Sequence, residues 1–456
     1  MAVGTVPRID TTGPRPAIGP QLAIARHLVR WVLLGALVGV LAGVASAVFL
    51  ATLDWATAAF DTDGWLLYLL PVGGLAIGCA YHYLGGRSEE GNNLILGEIH
   101  DPTAWVPRRM APMVLVGTIV THLFGGSAGR EGTAIQMSGS LTDAASRILR
   151  LDEADRRTML VVAIAGGFGS VFGVPIAGAV FGLEVQAVGR VRYDALVPCL
   201  VASVVGDLVV AGLGVQHTPT PELPSFALAA GPVLKVVVAG VLFGLVGVVF
   251  TRLTARIKKF LGRTVGWKPA RPVVGGLVVI ALTLAVGNRD YNGLSLGLVA
   301  ESLRGDDVAT WAFALKVLFT AVTLGSGFVG GEVTPLFVIG ATLGATLAGP
   351  LGLPVPLVAA LGFVAVFAGA ANTPLACTVM GVELFGGGAV PYFAVACVVA
   401  YVCSSHRGIY GTQRVAVPKW SSRGVGRGGG RGGGRGGAPG TSPAVGDAGD
   451  HPPPPG

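Results

Sequence analysis

Glu131 stands in the run Gly125-Gly-Ser-Ala-Gly-Arg-Glu-Gly-Thr133, directly after residues 110–129, which carry no charge. An acid left alone in so apolar a stretch is costly to bury, by about 2.5–3.5 kcal/mol on membrane-insertion scales, and such a residue is functional as a rule. The flanking glycines leave backbone N–H groups bare. Where a helix begins, those N–H groups and the positive end of the helix dipole form an anion site. Gly129, Arg130, Gly132 and Thr133 are the candidate donors around this one. A carboxylate among such donors competes with a free anion, and once protonated it stops competing. That chemistry would link proton binding to anion passage. The plainer reading is an ion pair of Glu131 with Arg130 in a loop.

A second run, Gly325-Ser-Gly-Phe-Val-Gly-Gly-Glu-Val-Thr-Pro335, has the same character, with Pro335 placed for a first helical turn. Glu332 reads either as a second proton carrier or as a carboxylate capping its own helix. Val333 and Thr334 would add an amide and a hydroxyl to an anion site. Asn92, in Gly91-Asn-Asn-Leu94, reads as a helix N-cap whose amide could also donate to an anion. Tyr410, in Gly408-Ile-Tyr-Gly411, reads as a phenolic donor or as an interfacial anchor. Glu184 and Glu383 end matching segments, which favours a shared structural role. His122 on its apolar run reads as a satisfied buried residue.

The elements that hold these residues must be membrane helices. Of the 456 residues 52% are hydrophobic and 12% charged, about half the charge an ordinary soluble domain carries. A soluble enzyme is excluded on that ground, and no nucleophile–base pair or metal-ligand cluster appears, so neither cofactor nor metal is expected. Residues 31–53, 110–129 and 158–183 are free of charge, and 333–382 is uncharged over a length that needs more than one helix. With about 20 apolar residues per crossing, the chain reads as an all-α polytopic membrane protein. The five cysteines lie in apolar segments without paired spacing and read as small buried hydrophobes.

Arg252, Arg256, Lys258, Lys259, Arg263, Lys268 and Arg271 make one basic connector, which the positive-inside rule places in the cytoplasm together with the basic N-terminus. Residues 1–20 read as a mobile arm, 21–417 as the membrane domain and 418–456 as a disordered tail rich in Gly, Arg and Pro. The Arg-Gly repeats of that tail read as solvated chain, and a nucleic-acid partner is not expected.

The domain repeats itself. Pro175, Ala177, Val180, Gly182 and Glu184 recur as Pro374, Ala376, Val379, Gly381 and Glu383, an offset of 199 residues, while Glu131 and Glu332 are 201 apart. Two halves, about 21–215 and 226–417, follow from this. Transporters built from inverted repeats bind at the midplane, between broken helices whose N-termini point inward. Segments 131–149 and 288–304, which mix Gly, Ser or Asn with apolar residues, are the expected broken elements.

With these motifs in this order, residues 25–415 resemble the CLC family of anion channels and proton-coupled antiporters. The family's gating stretch is Gly-Arg-Glu-Gly-Pro, and here it reads Gly-Arg-Glu-Gly-Thr at 129–133. That Thr, together with Gly-Gly-Glu-Val-Thr-Pro at 330–335, is similar to the fluoride-exporting branch. The resemblance implies a homodimer, each subunit with its own pathway and two inverted halves. It implies that Glu131 is the gating glutamate, Tyr410 the central tyrosine, and the Glu332 and Val333 amides part of the anion site. Asn92 takes the place of a serine that contacts chloride in other members. Val185 stands where chloride antiporters commonly carry an internal proton glutamate, which leaves Glu332 and Thr334 for that work. The expected function is fluoride/proton antiport across the inner membrane, conferring fluoride resistance. The alternative is a chloride channel or chloride/proton antiporter.

Overall fold

The computed structural model describes residues 19–420, so the expected arm (residues 1–18) and most of the expected tail (421–456) lie outside the described residues. The first helix already begins at Gly19, two residues inside the expected arm. The described residues form 16 α-helices in two series of eight. The first series is α1 (Gly19–Thr62), α2 (Leu70–Ala80), α3 (Asn92–His100), α4 (Met110–Leu123), α5 (Glu131–Ile148), α6 (Glu153–Phe172), α7 (Pro175–Glu184) and α8 (Leu196–Gly212). The second is α9 (Ala230–Thr264), α10 (Ala270–Val286), α11 (Leu296–Arg304), α12 (Ala312–Ser326), α13 (Val333–Leu351), α14 (Val355–Ala371), α15 (Pro374–Phe385) and α16 (Val390–Cys403). Each member of one series has a counterpart in the same place in the other, and six of the eight pairs differ in length by at most three residues. The chain is thus an inverted repeat of two halves with broken and half-spanning helices.

Five helical segments, among them α1, α9 and α13, are long and apolar enough to cross a membrane. The uncharged stretch 333–382 resolves into α13, α14 and most of α15. At 1.5 Å per residue α1 is about 66 Å long, well beyond a hydrocarbon core of roughly 30 Å. The helices α7 and α3, with 10 and 9 residues, are too short to cross it.

Local chemistry sets the breaks. Asp152 caps α6 by accepting the Asp155 N–H at 2.8 Å. Gly173 (φ 71°) and Asn372 (φ 60°) end α6 and α14 in left-handed conformation, and a proline two residues further on starts the next short helix. The two short helices then cap each other. The Glu383 carboxylate accepts the Ile176 and Ala177 N–H groups at 2.8 and 2.6 Å, and the Glu184 carboxylate accepts those of Leu375 and Ala376 at 3.1 and 2.8 Å. This exchange is the clearest mark of the pseudo-two-fold between the halves, and it supplies the shared structural role expected of the two glutamates.

Segment 131–149 differs from expectation: α5 is one continuous helix. Its small polar residues pack rather than break. Ser138 donates to the Ala163 carbonyl of α6 at 2.8 Å, the kind of interhelical bond membrane helices favour, and Ser140 to the Pro107 carbonyl of the loop before α4 at 2.9 Å. Segment 288–304 is interrupted as expected, its helical part beginning only at Leu296.

Glycine decides the closest crossing. Gly340 of α13 and Gly362 of α14 face each other so tightly that a Cβ on either would fall on the other's carbonyl oxygen. Gly362→Ala is therefore expected to overpack this crossing and destabilise the domain by about 1–3 kcal/mol. A lowered midpoint for loss of monodispersity on heating in detergent would show it.

Residues 404–420 are held, although 418–420 fall in the expected tail. Lys419 Nζ donates to Tyr401 O at 2.8 Å, Ser404 Oγ at 2.7 Å and Ser405 O at 3.1 Å, closing the chain back onto the end of α16. Between those ends β2 (Arg414–Val415) pairs in parallel with β1 (Ala187–Val188), which tethers the loop carrying Tyr410 to the first half.

Candidate functional site

Two equivalent loops, one before α5 and one before α13, meet at the centre. Gly129 and Gly331 exchange both backbone hydrogen bonds at 2.7 Å, an antiparallel bridge between the repeats. No side chain at Gly129 would fit, since a Cβ there would lie 2.8 Å from Pro335 Cδ. The bridge brings the start of α5 against the start of α13.

Glu131 is fully buried at that junction. Its Oε2 accepts the Thr334 N–H at 3.0 Å and the Arg130 N–H at 3.2 Å, and its Oε1 accepts the Thr334 hydroxyl. The first-half glutamate thus occupies the donors at the N-terminus of a second-half helix. Arg130 Nε lies 3.6 Å from Oε1, while its guanidinium rests over the Phe172 ring at 5.6 Å. The loop ion pair is thus present, but the shorter bonds to the carboxylate come from Thr334 and from the backbone of Arg130.

On one side of this junction opens a cavity of about 530 Å³. Asn92, Gly132, Glu332, Val333 and Tyr410 line it together with Lys258, Lys268 and Arg271 of the basic connector. Asn92 is the first residue of α3 and makes no cap bond; Gly91, at φ 59°, holds the N-cap position instead. The Asn92 amide reaches over the start of α5, its Nδ2 3.0 Å from where a Cβ on Gly132 would sit. Asn92 Oδ1 and the Tyr410 hydroxyl are buried without a partner among the described residues. Tyr410 is 5% exposed, so it is no interfacial anchor. Glu332 holds the N-cap position of α13 but makes no cap bond, which leaves its carboxylate to the cavity.

Thr133 is placed otherwise. Its hydroxyl pairs with Thr118 Oγ1 at 2.7 Å between α5 and α4, and it does not line the cavity. His122 is satisfied, its ring nitrogens 2.9 and 3.1 Å from the carbonyls of Thr118 and Ala128. It also lines a second cavity of about 420 Å³, beside Phe60 and Asp61 at the end of α1 and Arg289. Gly132 lines the first cavity and His122, beside the Ala128 carbonyl, lines the second, while Glu131 lines neither.

Sequence reasoning missed two further groups. Arg156 of α6 donates to both oxygens of Asp143 at 2.6 and 2.9 Å and to Glu98 Oε2 at 3.3 Å, joining α3, α5 and α6 below the site. Lys316 of α12 is fully buried and donates to Tyr291 O, Gly293 O and Ser295 Oγ at 2.8–3.3 Å. The one available signal was the presence of ionisable residues in apolar helices; their partners are too distant in sequence to read.

Comparison with known proteins agrees with this geometry. Residues 73–405 match the pattern of the voltage gated chloride channel family. A "Chloride/fluoride channel protein" of Pseudomonas syringae pv. tomato is 49% identical over 405 residues, covering 88% of this chain and 89% of that protein. The crystal structure of a CLC-type fluoride/proton antiporter superposes with a TM-score of 0.83 at 35% identity, covering 85% of this chain and 98% of that one. A slow cyanobacterial Cl⁻/H⁺ antiporter shares the fold, with a TM-score of 0.71 at 20% identity, covering 87% of this chain and 97% of that one. The chain belongs to the voltage-gated chloride channel (CLC) family.

Proposed function

We propose that the protein is a proton-coupled fluoride exporter, a fluoride/proton antiporter of the inner membrane that confers fluoride resistance. One observation carries the reading: the Glu131 carboxylate occupies the Thr334 amide and hydroxyl at the head of α13, donors an anion would otherwise use. Ionised, Glu131 closes the anion path. Protonated, it loses the charge that holds it there, and the freed donors take the anion. Each passage of an anion is thereby tied to a proton on Glu131. Glu332, which lines the connector-side cavity and makes no cap bond, supports a second proton site that would pass that proton onward.

The choice of fluoride rests on the donors. Fluoride is small and strongly hydrated, so its shell must be replaced by several convergent hydrogen bonds. Asn92 Nδ2, the Tyr410 hydroxyl, Thr334 and the free N–H groups at the start of α13 provide them. The similarity to a fluoride/proton antiporter supports the same ion. The positive-inside rule, applied to the connector whose Lys258, Lys268 and Arg271 line the larger cavity, supports a cytoplasmic mouth for it and a cytoplasmic N-terminus. Exposed Leu200, Leu208, Val398 and Val402 on α8 and α16 suit a homodimer contact within the membrane.

Reconstituted protein in liposomes loaded with fluoride or with chloride tests the proposal. Fluoride efflux is expected to exceed chloride efflux by at least about 100-fold, with proton uptake in step. Comparable chloride efflux would make it a chloride antiporter, and anion flux without proton movement would make it a channel.

A further inference from the structure

Asn92 and Tyr410 reach the larger cavity from segments far apart in sequence, and neither Asn92 Oδ1 nor the Tyr410 hydroxyl has a partner among the described residues. Their separation is set in part by the backbone that carries them. Gly91 directly precedes Asn92 at the start of α3, and Tyr410 sits in a glycine-rich loop between Gly408 and Gly411. Such a loop does not hold a fixed spacing by itself.

A direct clamp joins them. Thr412 Oγ1 donates to the Asn93 carbonyl at 3.1 Å and lies 3.3 Å from Asn93 Oδ1. The Thr412 N–H donates to the same Oδ1 at 3.2 Å. Asn93 directly follows Asn92, and Thr412 lies two residues beyond Tyr410. Gln413 then anchors the loop from behind, its Nε2 donating to Val185 O at 2.7 Å and Ala371 O at 3.0 Å, while its own N–H donates to the Tyr410 carbonyl at 3.2 Å.

We propose that the Asn93–Thr412 clamp determines ion specificity by fixing the span between the Asn92 amide and the Tyr410 hydroxyl. This rests on the cavity being the fluoride path. Fluoride needs both donors at once, since it leaves behind a tightly held water shell. Chloride is larger and gives up its shell more readily, so it tolerates a wider span. Loosening the clamp penalises fluoride first, while Glu131 and its proton are untouched. Asn93 and Thr412 act as positioning residues, through Asn92 and Tyr410.

The test compares initial efflux rates of fluoride and chloride from proteoliposomes, with proton uptake recorded in the same vesicles. Thr412→Val and Asn93→Ala are each expected to lower the fluoride-to-chloride rate ratio about ten-fold, while protons moved per anion stay at the wild-type value. Thr412→Ser, which keeps the hydroxyl, restores the wild-type ratio. Where Thr412→Val gives no folded protein, Asn93→Ser provides the same reading. An unchanged ratio in these variants overturns the proposal, as does an equal fall in both rates, which would mark a purely structural clamp. Should the wild type itself pass chloride as readily as fluoride, the fluoride reading fails; the clamp is still judged by whether each variant departs from the wild-type ratio.

Discussion

Glu131→Gln is expected to let fluoride pass while proton uptake falls at least about 100-fold, the lower range of what a positioned proton carrier contributes. The glutamine side chain keeps the shape of the glutamate and can still accept the Thr334 N–H, so the junction of α5 and α13 should stay assembled. It cannot become an anion, so it competes only weakly for the donors, and it cannot carry a proton. Fluoride-loaded liposomes, with a fluoride electrode outside and a pH dye inside, report the two fluxes together. Proton uptake at the wild-type ratio in the variant would show that another group carries the proton. The pH dependence follows with a definite sign. Because protons enter as fluoride leaves, wild-type efflux should rise as the medium outside the loaded liposomes is acidified. The Glu131→Gln variant should lose that response.

The second large effect is on stability. Arg156→Met is expected to cost about 3–5 kcal/mol, because it strands the buried Asp143 carboxylate and removes one of the two guanidinium partners of Glu98. Asp143 loses both its short bonds to Arg156, and Glu98 keeps only Arg87, at 2.6 Å, and the N–H and hydroxyl groups of Thr103 and Ala104. The Val106 N–H that Asp143 also accepts at 2.6 Å is no substitute for a cation. A sharp fall in the temperature at which detergent-solubilised protein loses its single gel-filtration peak would register the cost. Combining Arg156→Met with Asp143→Asn and Glu98→Gln should recover most of it, since the uncompensated charge goes with the partner. If the single variant is as stable as the wild type, the triad does not hold α3, α5 and α6 together.

The parts of this structure that could be read from sequence were those in which a residue contradicts its surroundings. Glu131 and Glu332 announce themselves as charges among glycines in apolar runs, and the repeated proline-to-glutamate motif exposes the two halves. Asn92 was misread in its local role because Asn is a favoured N-cap; Gly91 takes that position with a backbone conformation that suits glycine. The break expected within 131–149 rested on its Gly and Ser content. Those residues instead pack: a Cβ placed on Gly139 would run into Ile95 Cδ1 of α3, and Ser138 bonds the Ala163 carbonyl of α6. Thr133 was placed near the anion by its neighbours in the motif, yet one helical step turns its hydroxyl to Thr118. The Arg156 triad and the Asn93–Thr412 clamp join residues separated by 58 and 319 positions, and no periodicity relates such pairs.

The exchange of caps between Glu184 and Glu383 has a bearing on how such a chain came to exist. A half taken alone has a carboxylate with no helix start to meet and a helix start with no carboxylate. Two copies of one half, inserted into the membrane in opposite senses, would satisfy both needs at a stroke. The mutual caps are what a pair of separate, oppositely oriented ancestors would have required to recognise each other before a linker such as residues 213–229 joined them into one polypeptide.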